Sequence, residues 1–131
     1  METDRLKDGR PQACPFCDVA EAVLSNALAV ARYDRYPVNA GHLLVHTRRH
    51  VATYFEATPA ERAALFELID AAKALLDERF QPAGYNIGIN VGAAAGQTIA
   101  HLHVHLIPRY PGDVADPRGG IRGVIPHKQK Y

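Results

Sequence analysis

The sequence predicts an α+β protein with a mostly antiparallel sheet, one long helix and a short N-terminal helix. Two observations support this class: an apolar stripe at helical spacing in mid-chain, and alternating apolar and polar residues in two segments that follow it. The chain has 131 residues, so we expect one domain over residues 1–131. Its content of 47% hydrophobic and 22% charged residues is typical of a globular protein and argues against wholesale disorder.

The N-terminal third is predicted to contain the short helix and two strands. Residues 1–12 are polar and expected to be loose, and the Ala-rich segment 18–24 is expected to form the short helix. The strands are predicted over 29–33 and 42–47, with a turn between them that Pro37 and Gly41 mark.

The long helix has a clear predicted beginning. Thr58 can cap it, Pro59 suits the first helical position, and Glu61 completes a capping box. Apolar residues then recur mostly three or four positions apart over about 20 residues, which predicts one buried stripe. The stripe consists of Leu65, Leu68, Ile69, Ala72, Leu75, Leu76 and Phe80. Pro82 and Gly84 are expected to end the helix, and Glu61 is expected on its solvated face.

The second half of the chain is predicted to return to strands. Residues 85–91 alternate apolar and polar side chains, residues 92–96 form a loop of small residues, and 100–107 is the next strand, ended by Pro108. Residues 112–131 are expected to be a Gly-rich loop and a tail.

Charge and hydropathy exclude several classes of function. Fifteen basic and 14 acidic residues give a formal net charge of +1, so no basic excess points to nucleic acid. The apolar runs are too short to cross a bilayer, and residues 1–10 lack the apolar segment of a secretory signal. We therefore expect a cytoplasmic protein without a nucleic acid or membrane partner and without an organic cofactor.

Three of the seven histidines, His101, His103 and His105, alternate along one predicted strand. Alternate residues of a strand share a face, so the three imidazoles are expected to point one way while Leu102 and Val104 point into the core. A neutral imidazole is a good nucleophile near pH 7, and its attack on phosphorus would divide a displacement into two easier steps. The alternative interpretation is a solvated strand face or a fortuitous metal clip.

Residues 97–109 resemble the signature of the histidine triad family, in which three histidines alternate with apolar residues. Segments 86–96 and 37–50 resemble the two segments that precede this signature, so the resemblance extends over roughly residues 14–113. Members of this family are α+β proteins, usually homodimers, that bind nucleoside phosphates and act as nucleotide hydrolases or nucleotidyltransferases. The resemblance therefore implies a homodimer whose partner is a nucleotide or dinucleoside polyphosphate.

The resemblance also implies roles for individual residues. His103 would be the nucleophile, His105 would contact the phosphate or the leaving group, and His42 would lie in the same site. His46 stands where the family more often has an apolar residue or proline, and it is expected to be structural or at the surface. The implied substrate-binding residues are Asn90, Gln97 and Thr98 for phosphate, Asp34 for ribose, and Phe16 and Val19 for the base.

Cys14 and Cys17, the two cysteines of the chain, could supply half of a tetrahedral zinc site. A free thiol pair or a reversible disulfide is the alternative. Some histidine triad proteins hold structural zinc with a cysteine pair, a histidine after the upstream strand and the first triad histidine. By this resemblance the ligands here would be Cys14, Cys17, His50 and His101.

A histidine at the third triad position is usual in the hydrolases of the family, whereas glutamine marks its nucleotidyltransferase branch. His105 therefore favours hydrolysis of a nucleoside polyphosphate, such as diadenosine tetraphosphate, at the α-phosphate. A phosphorylase and a nucleoside phosphoramidase would share the nucleotidyl-histidine intermediate and stay open, and a nucleotide-binding module is the non-enzymatic alternative. The Gly-rich loop 116–122, with Arg118 and Arg122, is a further candidate for phosphate contact, or else an exposed or dimer-contact loop.

Overall fold

A computed structural model describes residues 14–131, so the expectation of a loose segment over residues 1–12 lies outside the described part of the chain. The described residues form a five-stranded antiparallel sheet and one long helix, which confirms the predicted α+β class. The strands are β1 (Leu24–Ser25), β2 (Ala29–Tyr33), β3 (Leu43–Thr47), β4 (Gly84–Gly88) and β5 (His103–Arg109). Their order across the sheet is β1-β2-β3-β5-β4.

The helix, α1 (Pro59–Phe80), begins at the predicted capping box. The Glu61 N–H donates to Thr58 Oγ1 over 3.1 Å, and the Thr58 N–H donates to Glu61 Oε1 over 2.9 Å. Gln81 ends the helix in the left-handed conformation, with φ of 52°. No helix among residues 14–131 is long and apolar enough to cross a membrane.

The expectation that Glu61 lies on the solvated face is wrong, because this side chain is buried. Arg49 donates to both of its carboxylate oxygens, over 2.7 and 3.1 Å. These hydrogen bonds hold the pKa of Glu61 below its ordinary value, and they compensate its burial.

The apolar stripe of α1 packs on one face of the sheet and forms the core with it. Burying a Leu or Val side chain stabilises a protein by about 1.5–3 kcal/mol, so this layer holds the helix on the sheet. Along β3 and β5 the inward residues alternate with outward ones. Leu43, Val45, Val104 and Leu106 belong to the core, and the residues between them therefore point to the other face of the sheet.

The short N-terminal helix is not at residues 18–24 as expected. The chain forms a single 3-10 turn at Pro15–Cys17, then a further turn, and enters β1 at Leu24. The Asp18 carboxylate accepts the Ala20 N–H over 2.9 Å, a local bond that competes with helix formation.

The last two strands also differ from their predicted limits. β4 ends at Gly88 rather than 91. β5 begins at His103 rather than 100, because the Leu102 N–H donates to the Val51 carbonyl over 2.7 Å and diverts the chain. β5 also continues through Pro108, since β3 pairs with it only as far as Leu106 and the strand has one neighbour beyond that point.

Candidate active site

The sheet face opposite α1 carries the histidines that the sequence singled out. The register of β3 and β5 places His46 opposite His103 and Leu44 opposite His105. The rings of His103 and His105 have centroids 5.1 Å apart, and the rings of His42 and His105 have centroids 5.2 Å apart. Two strands therefore bring His42, His103 and His105 into one cluster.

His103 has a defined tautomer. Its Nδ1 lies 2.8 Å from the carbonyl oxygen of His101, which can only accept, so Nδ1 carries the proton. In the neutral ring the unprotonated nitrogen is then Nε2, the atom that could act as a nucleophile. The sequence did not indicate this partner, because it depends on the bend of the chain before β5.

A second chain of hydrogen bonds sets the tautomers of His42 and His105. The Val38 N–H donates to His42 Nδ1 over 3.2 Å, so His42 carries its proton on Nε2. That Nε2 lies 3.0 Å from His105 Nδ1 and donates to it. His105 consequently carries its own proton on Nε2, where it can donate to a bound phosphate.

Both of these rings are neutral at pH 7. Burial, together with the neighbouring His103 and His42, lowers the pKa of His105 to about 4. Burial also lowers the pKa of His42, although the Asp34 carboxylate, 3.5 Å from its Nε2, opposes the shift. Asp34, His42 and His105 are close enough to hold a metal, but the Val38 N–H keeps the proton on His42 Nε2, which disfavours a metal there.

The four residues predicted as metal ligands lie together beside the histidine cluster. One donor atom from each of Cys14, Cys17, His50 and His101 lies within 4.8 Å of the other three, so the group could hold a metal ion. The Sγ of Cys14 is 3.2 Å from His101 Nδ1, and the Sγ of Cys17 is 3.4 Å from His50 Nδ1. Tetrahedral zinc with bonds of about 2.0–2.3 Å needs donor separations of roughly 3.3–3.8 Å, close to those observed.

His101 links this metal-ligand cluster to the histidine cluster. Its Nε2 donates to the Thr47 carbonyl over 2.7 Å, which leaves Nδ1 unprotonated and able to bind a metal. Its own carbonyl oxygen accepts the Nδ1 proton of His103. The first triad histidine is therefore buried and fully bonded, and it precedes β5 instead of sharing the strand with the other two.

A pocket of about 250 Å³ adjoins the histidine cluster. Phe16 and Asp34, two of the predicted substrate-binding residues, line it together with Arg32, Leu44 and other residues. The Phe16 ring lies 5.0 Å from the His103 ring, so the pocket opens beside the candidate nucleophile. Val19 is 40% exposed and does not belong to this lining.

The three predicted phosphate-binding residues differ in their hydrogen bonding and in their exposure. The amide of Gln97 donates to the carbonyls of Ala52 and Ile99 over 2.6 and 3.0 Å, and its oxygen accepts the Gly92 N–H over 2.9 Å. These bonds make Gln97 a support of the loop. Thr98 is exposed on the same loop, and Asn90 is half-buried beyond the end of β4.

Two of the three arginines near the end of the chain, Arg109 and Arg122, bond to other parts of the fold. Arg122 donates to the carbonyls of residues 128 and 129, within two 3-10 turns at Gly120–Val124 and Pro126–Lys128. Arg109 donates to Asp113 and to Asn86. Arg118 is exposed.

The sequence did not indicate that Arg32 is buried or that His46 is its hydrogen-bond partner. Arg32 is 5% exposed and His46 is wholly buried, and Arg32 Nε donates to His46 Nε2 over 3.1 Å. Burial lowers the pKa of His46 to about 3, so the ring is neutral and accepts this bond. The available signal was the position of both residues in predicted strands, among residues that are otherwise apolar.

The chain is similar in sequence and in fold to proteins of one family. The model of the HIT domain family matches residues 19–112. The AP-4-A phosphorylase of Mycobacterium tuberculosis is 36% identical over 109 residues, which are 77% of this chain and 56% of that protein. The asymmetrical bis(5'-nucleosyl)-tetraphosphatase of Schizosaccharomyces pombe is 36% identical over 89 residues, 68% of this chain and 49% of that protein. This chain thus spans about half the length of these two relatives.

Solved structures show the same fold. A HIT family protein from Bacillus anthracis superposes with a TM-score of 0.72 at 31% identity, over 78% of this chain and 77% of that one. A Zn-bound histidine triad family protein from Mycobacterium smegmatis superposes with a TM-score of 0.71 at 28% identity, over 79% of this chain and 80% of that one.

Proposed function

This chain belongs to the HIT domain family, and we propose that it is a nucleotide hydrolase that cleaves a dinucleoside polyphosphate at the α-phosphate. One observation carries the proposal: the His101 carbonyl keeps the proton of His103 on Nδ1 and leaves Nε2 as a nucleophile. The names of two relatives, an AP-4-A phosphorylase and an asymmetrical tetraphosphatase, support a dinucleoside tetraphosphate as the substrate.

In the first step, His103 Nε2 forms a bond to the α-phosphorus while the bond from that phosphorus to the bridging oxygen breaks. The leaving polyphosphate is stable as an anion, so it needs a hydrogen bond from His105 Nε2 rather than a full proton. The Nδ1–H of the new imidazolium continues to donate to the His101 carbonyl, and this hydrogen bond helps to stabilise the positive charge.

In the second step, water attacks the nucleotidyl-histidine, the P–N bond breaks, and a nucleoside monophosphate leaves as the proton of the water passes to solvent. If inorganic phosphate attacks instead, the product is a nucleoside diphosphate and the enzyme is a phosphorylase. The name of the mycobacterial relative favours this second candidate.

The base would enter the pocket beside Phe16, with the ribose hydroxyls near Asp34. Thr98 is exposed and Asn90 is half-buried, so solvent reaches both residues. Both therefore remain candidates for binding the phosphates of the substrate. Gln97 would contribute mainly by holding their loop, since its amide makes three bonds to the backbone. A contact from Val19 would require a substrate that extends beyond the pocket.

We also propose that Cys14, Cys17, His50 and His101 hold a structural zinc ion. The donor separations support it, as does the Zn-bound relative from Mycobacterium smegmatis. The ion would fasten the Pro15–Cys17 turn to the sheet and supply no catalytic chemistry. Protein purified without added metal should contain about one zinc per chain. Freely titratable thiols and no zinc would contradict the site.

We further propose a homodimer in the cytoplasm. A reducing compartment would keep both cysteines from forming a disulfide, so that their sulfur atoms could bind the metal. The outer edge of β4, where Ile87 is exposed, is one surface that a second copy could cover. Sedimentation as a monomer at micromolar concentration would contradict the dimer.

Product analysis tests the activity directly. The protein is incubated with diadenosine tetraphosphate in a phosphate buffer, and the nucleotides are separated. AMP with ATP indicates a hydrolase, and ADP with ATP a phosphorylase. If product forms only in a parallel incubation with an adenosine phosphoramidate, the enzyme is a phosphoramidase. Tight nucleotide binding without any product would indicate a binding module.

A pair of variants assigns the nucleophile in the same assay. His103→Ala should abolish turnover and still bind AMP, since Phe16 and Asp34 remain in the pocket. His127→Ala, a change of an exposed histidine in the C-terminal turns, should behave as the unaltered protein. Turnover by the His103→Ala variant would contradict the assignment.

A further inference from the structure

A buried arginine beside the pocket requires an explanation. Taking a guanidinium out of water is costly unless its donors are bonded, and Arg32 is only 5% exposed. Its Nε donates to His46 Nε2 over 3.1 Å, and His46 Nδ1 donates to the Thr47 carbonyl over 2.9 Å. Both ends of the His46 ring are thereby bonded, and the pair links β2 to β3.

The other end of Arg32 reaches the N-terminal turn. Nη1 donates to the Pro15 carbonyl over 3.2 Å, and Nη2 donates to the Asp18 carbonyl. These two carbonyls flank Phe16 and Cys17 in sequence. One side chain, anchored on the sheet, therefore holds the turn from both sides.

The held turn forms one wall of the pocket and carries a metal donor. Phe16 stacks on His46 with ring centroids 4.9 Å apart and an interplanar angle of 19°, and its ring is 5.0 Å from that of His103. Cys17 follows Phe16 directly and belongs to the metal-ligand cluster. A shift of the turn would move both residues together.

We propose that Arg32 is a positioning residue, which holds the Pro15–Asp18 turn so that Phe16 closes the nucleoside pocket and Cys17 stays within the metal-ligand cluster. His46 supports Arg32 by accepting its Nε proton and by stacking under Phe16. The part of this inference that concerns the pocket rests on the proposed function. The part that concerns Cys17 does not, because the position of a metal donor can be measured without a substrate.

The competing account is that Arg32 and His46 form a buried pair that stabilises the fold and nothing else. The two accounts differ for variants that remove one or both partners. Replacing one leaves a buried polar group unpaired, whereas replacing both with apolar residues of similar volume is often neutral for stability. Only the positioning account keeps a defect in binding when stability has been restored.

The experiment compares Arg32→Met, His46→Leu and the double variant with the unaltered protein. Three quantities are measured: the free energy of unfolding in urea, the Kd for zinc by chelator competition, and the Kd for AMP. Loss of Arg32 should weaken zinc binding about tenfold if the turn, and Cys17 with it, is then in place a tenth of the time. If the turn then occupies its closed position a tenth of the time, the Kd for AMP rises about tenfold.

His46→Leu should lower stability and weaken both Kd values less than Arg32→Met does, because Arg32 keeps its two bonds to the turn while losing its Nε acceptor and the ring under Phe16. The double variant should regain the part of the stability that is lost when one of the two partners is left unpaired, although the Pro15 and Asp18 carbonyls still lack their donor, and it should retain the binding defects of Arg32→Met. It also provides the test if Arg32→Met does not fold. Where turnover is detected, loss of Arg32 should raise KM more than it lowers kcat.

Binding constants that stay within twofold of the original after loss of Arg32 would overturn the proposal. So would binding losses that follow the free energy of unfolding and disappear in the double variant. Absence of turnover in the unaltered protein would count against the proposed function alone, since the zinc and AMP measurements do not depend on catalysis.

Discussion

Replacing Gly41 with alanine should damage both the fold and the site, for reasons that can be separated. Gly41 has φ of +88° and directly precedes His42, whose Nε2 donates to His105. A Cβ at this position would lie 2.9 Å from Cδ2 of Phe80, at the C-terminal end of α1. The substitution therefore combines backbone strain with a steric clash.

The expected loss of stability in the Gly41→Ala variant has three parts. A positive φ costs a non-glycine residue about 1–2 kcal/mol. Reduced freedom of the unfolded chain returns about 0.4–1 kcal/mol. Displacement of the Phe80 ring costs roughly 1–3 kcal/mol, as overpacking typically does. The midpoints of these ranges give a net loss of stability of about 3 kcal/mol, between limits of about 1 and 5 kcal/mol, and a loss of about 3 kcal/mol would lower Tm by roughly 10 °C for a chain of this size.

Gly112→Ala is the matched control. Gly112 has φ of +82°, and a Cβ there would meet nothing within 4 Å, so this variant carries the backbone cost without the clash. Urea unfolding should show Gly41→Ala to be less stable than Gly112→Ala by about 1–3 kcal/mol. Adding Phe80→Leu should recover part of the difference, because the smaller side chain leaves room for the Cβ. Equal losses in the two alanine variants would mean that Phe80 does not crowd position 41.

Two further predictions concern the capping box and the buried imidazole. Thr58→Ala should lower the free energy of unfolding by about 1 kcal/mol, whereas Thr53→Ala, at a 3-10 turn without a side-chain cap bond, should change it by less than about 0.5 kcal/mol. Similar values would show that the capping bonds contribute little. The pKa of His105 is about 4 in the folded protein and 6.5 in the unfolded chain, so the unfolded chain binds the proton first as the pH falls. The contribution of His105 to stability should therefore be complete above pH 6.5 and be lost down to about pH 4, and His105→Asn should escape a loss on the order of 1–2 kcal/mol, because the partly exposed ring is screened by solvent. Parallel stability curves for the two proteins would contradict this origin of acid sensitivity.

The sequence was sufficient where a pattern is local. The capping residues and the apolar stripe predicted α1 because both depend on spacing along one helix. The alternation of three histidines predicted one shared strand face, and this holds for His103 and His105 on β5 but not for His101, which precedes the strand. The four metal-ligand residues were inferred by resemblance, and the structure brings their donor atoms together.

The sequence was insufficient where a residue depends on a distant partner. Glu61 is buried because Arg49 reaches it from another segment, and Arg32 is buried because it meets His46 on the next strand. Gln97, which the resemblance assigns to phosphate, donates through its amide to the carbonyl of Ala52, 45 positions away, a contact that spacing alone does not reveal. These pairings arise only when the strands adopt their register.

The decisive measurement for a covalent nucleotidyl intermediate on His103 is the stereochemical course at phosphorus. A dinucleoside polyphosphate analogue with a chiral phosphorothioate at the α-position is cleaved in isotopically labelled water, and the configuration of the nucleotide product is determined. Attack by His103 and then by water inverts the phosphorus twice, so the account predicts net retention. Net inversion would mean a single direct attack by water, and it would contradict the role assigned to His103.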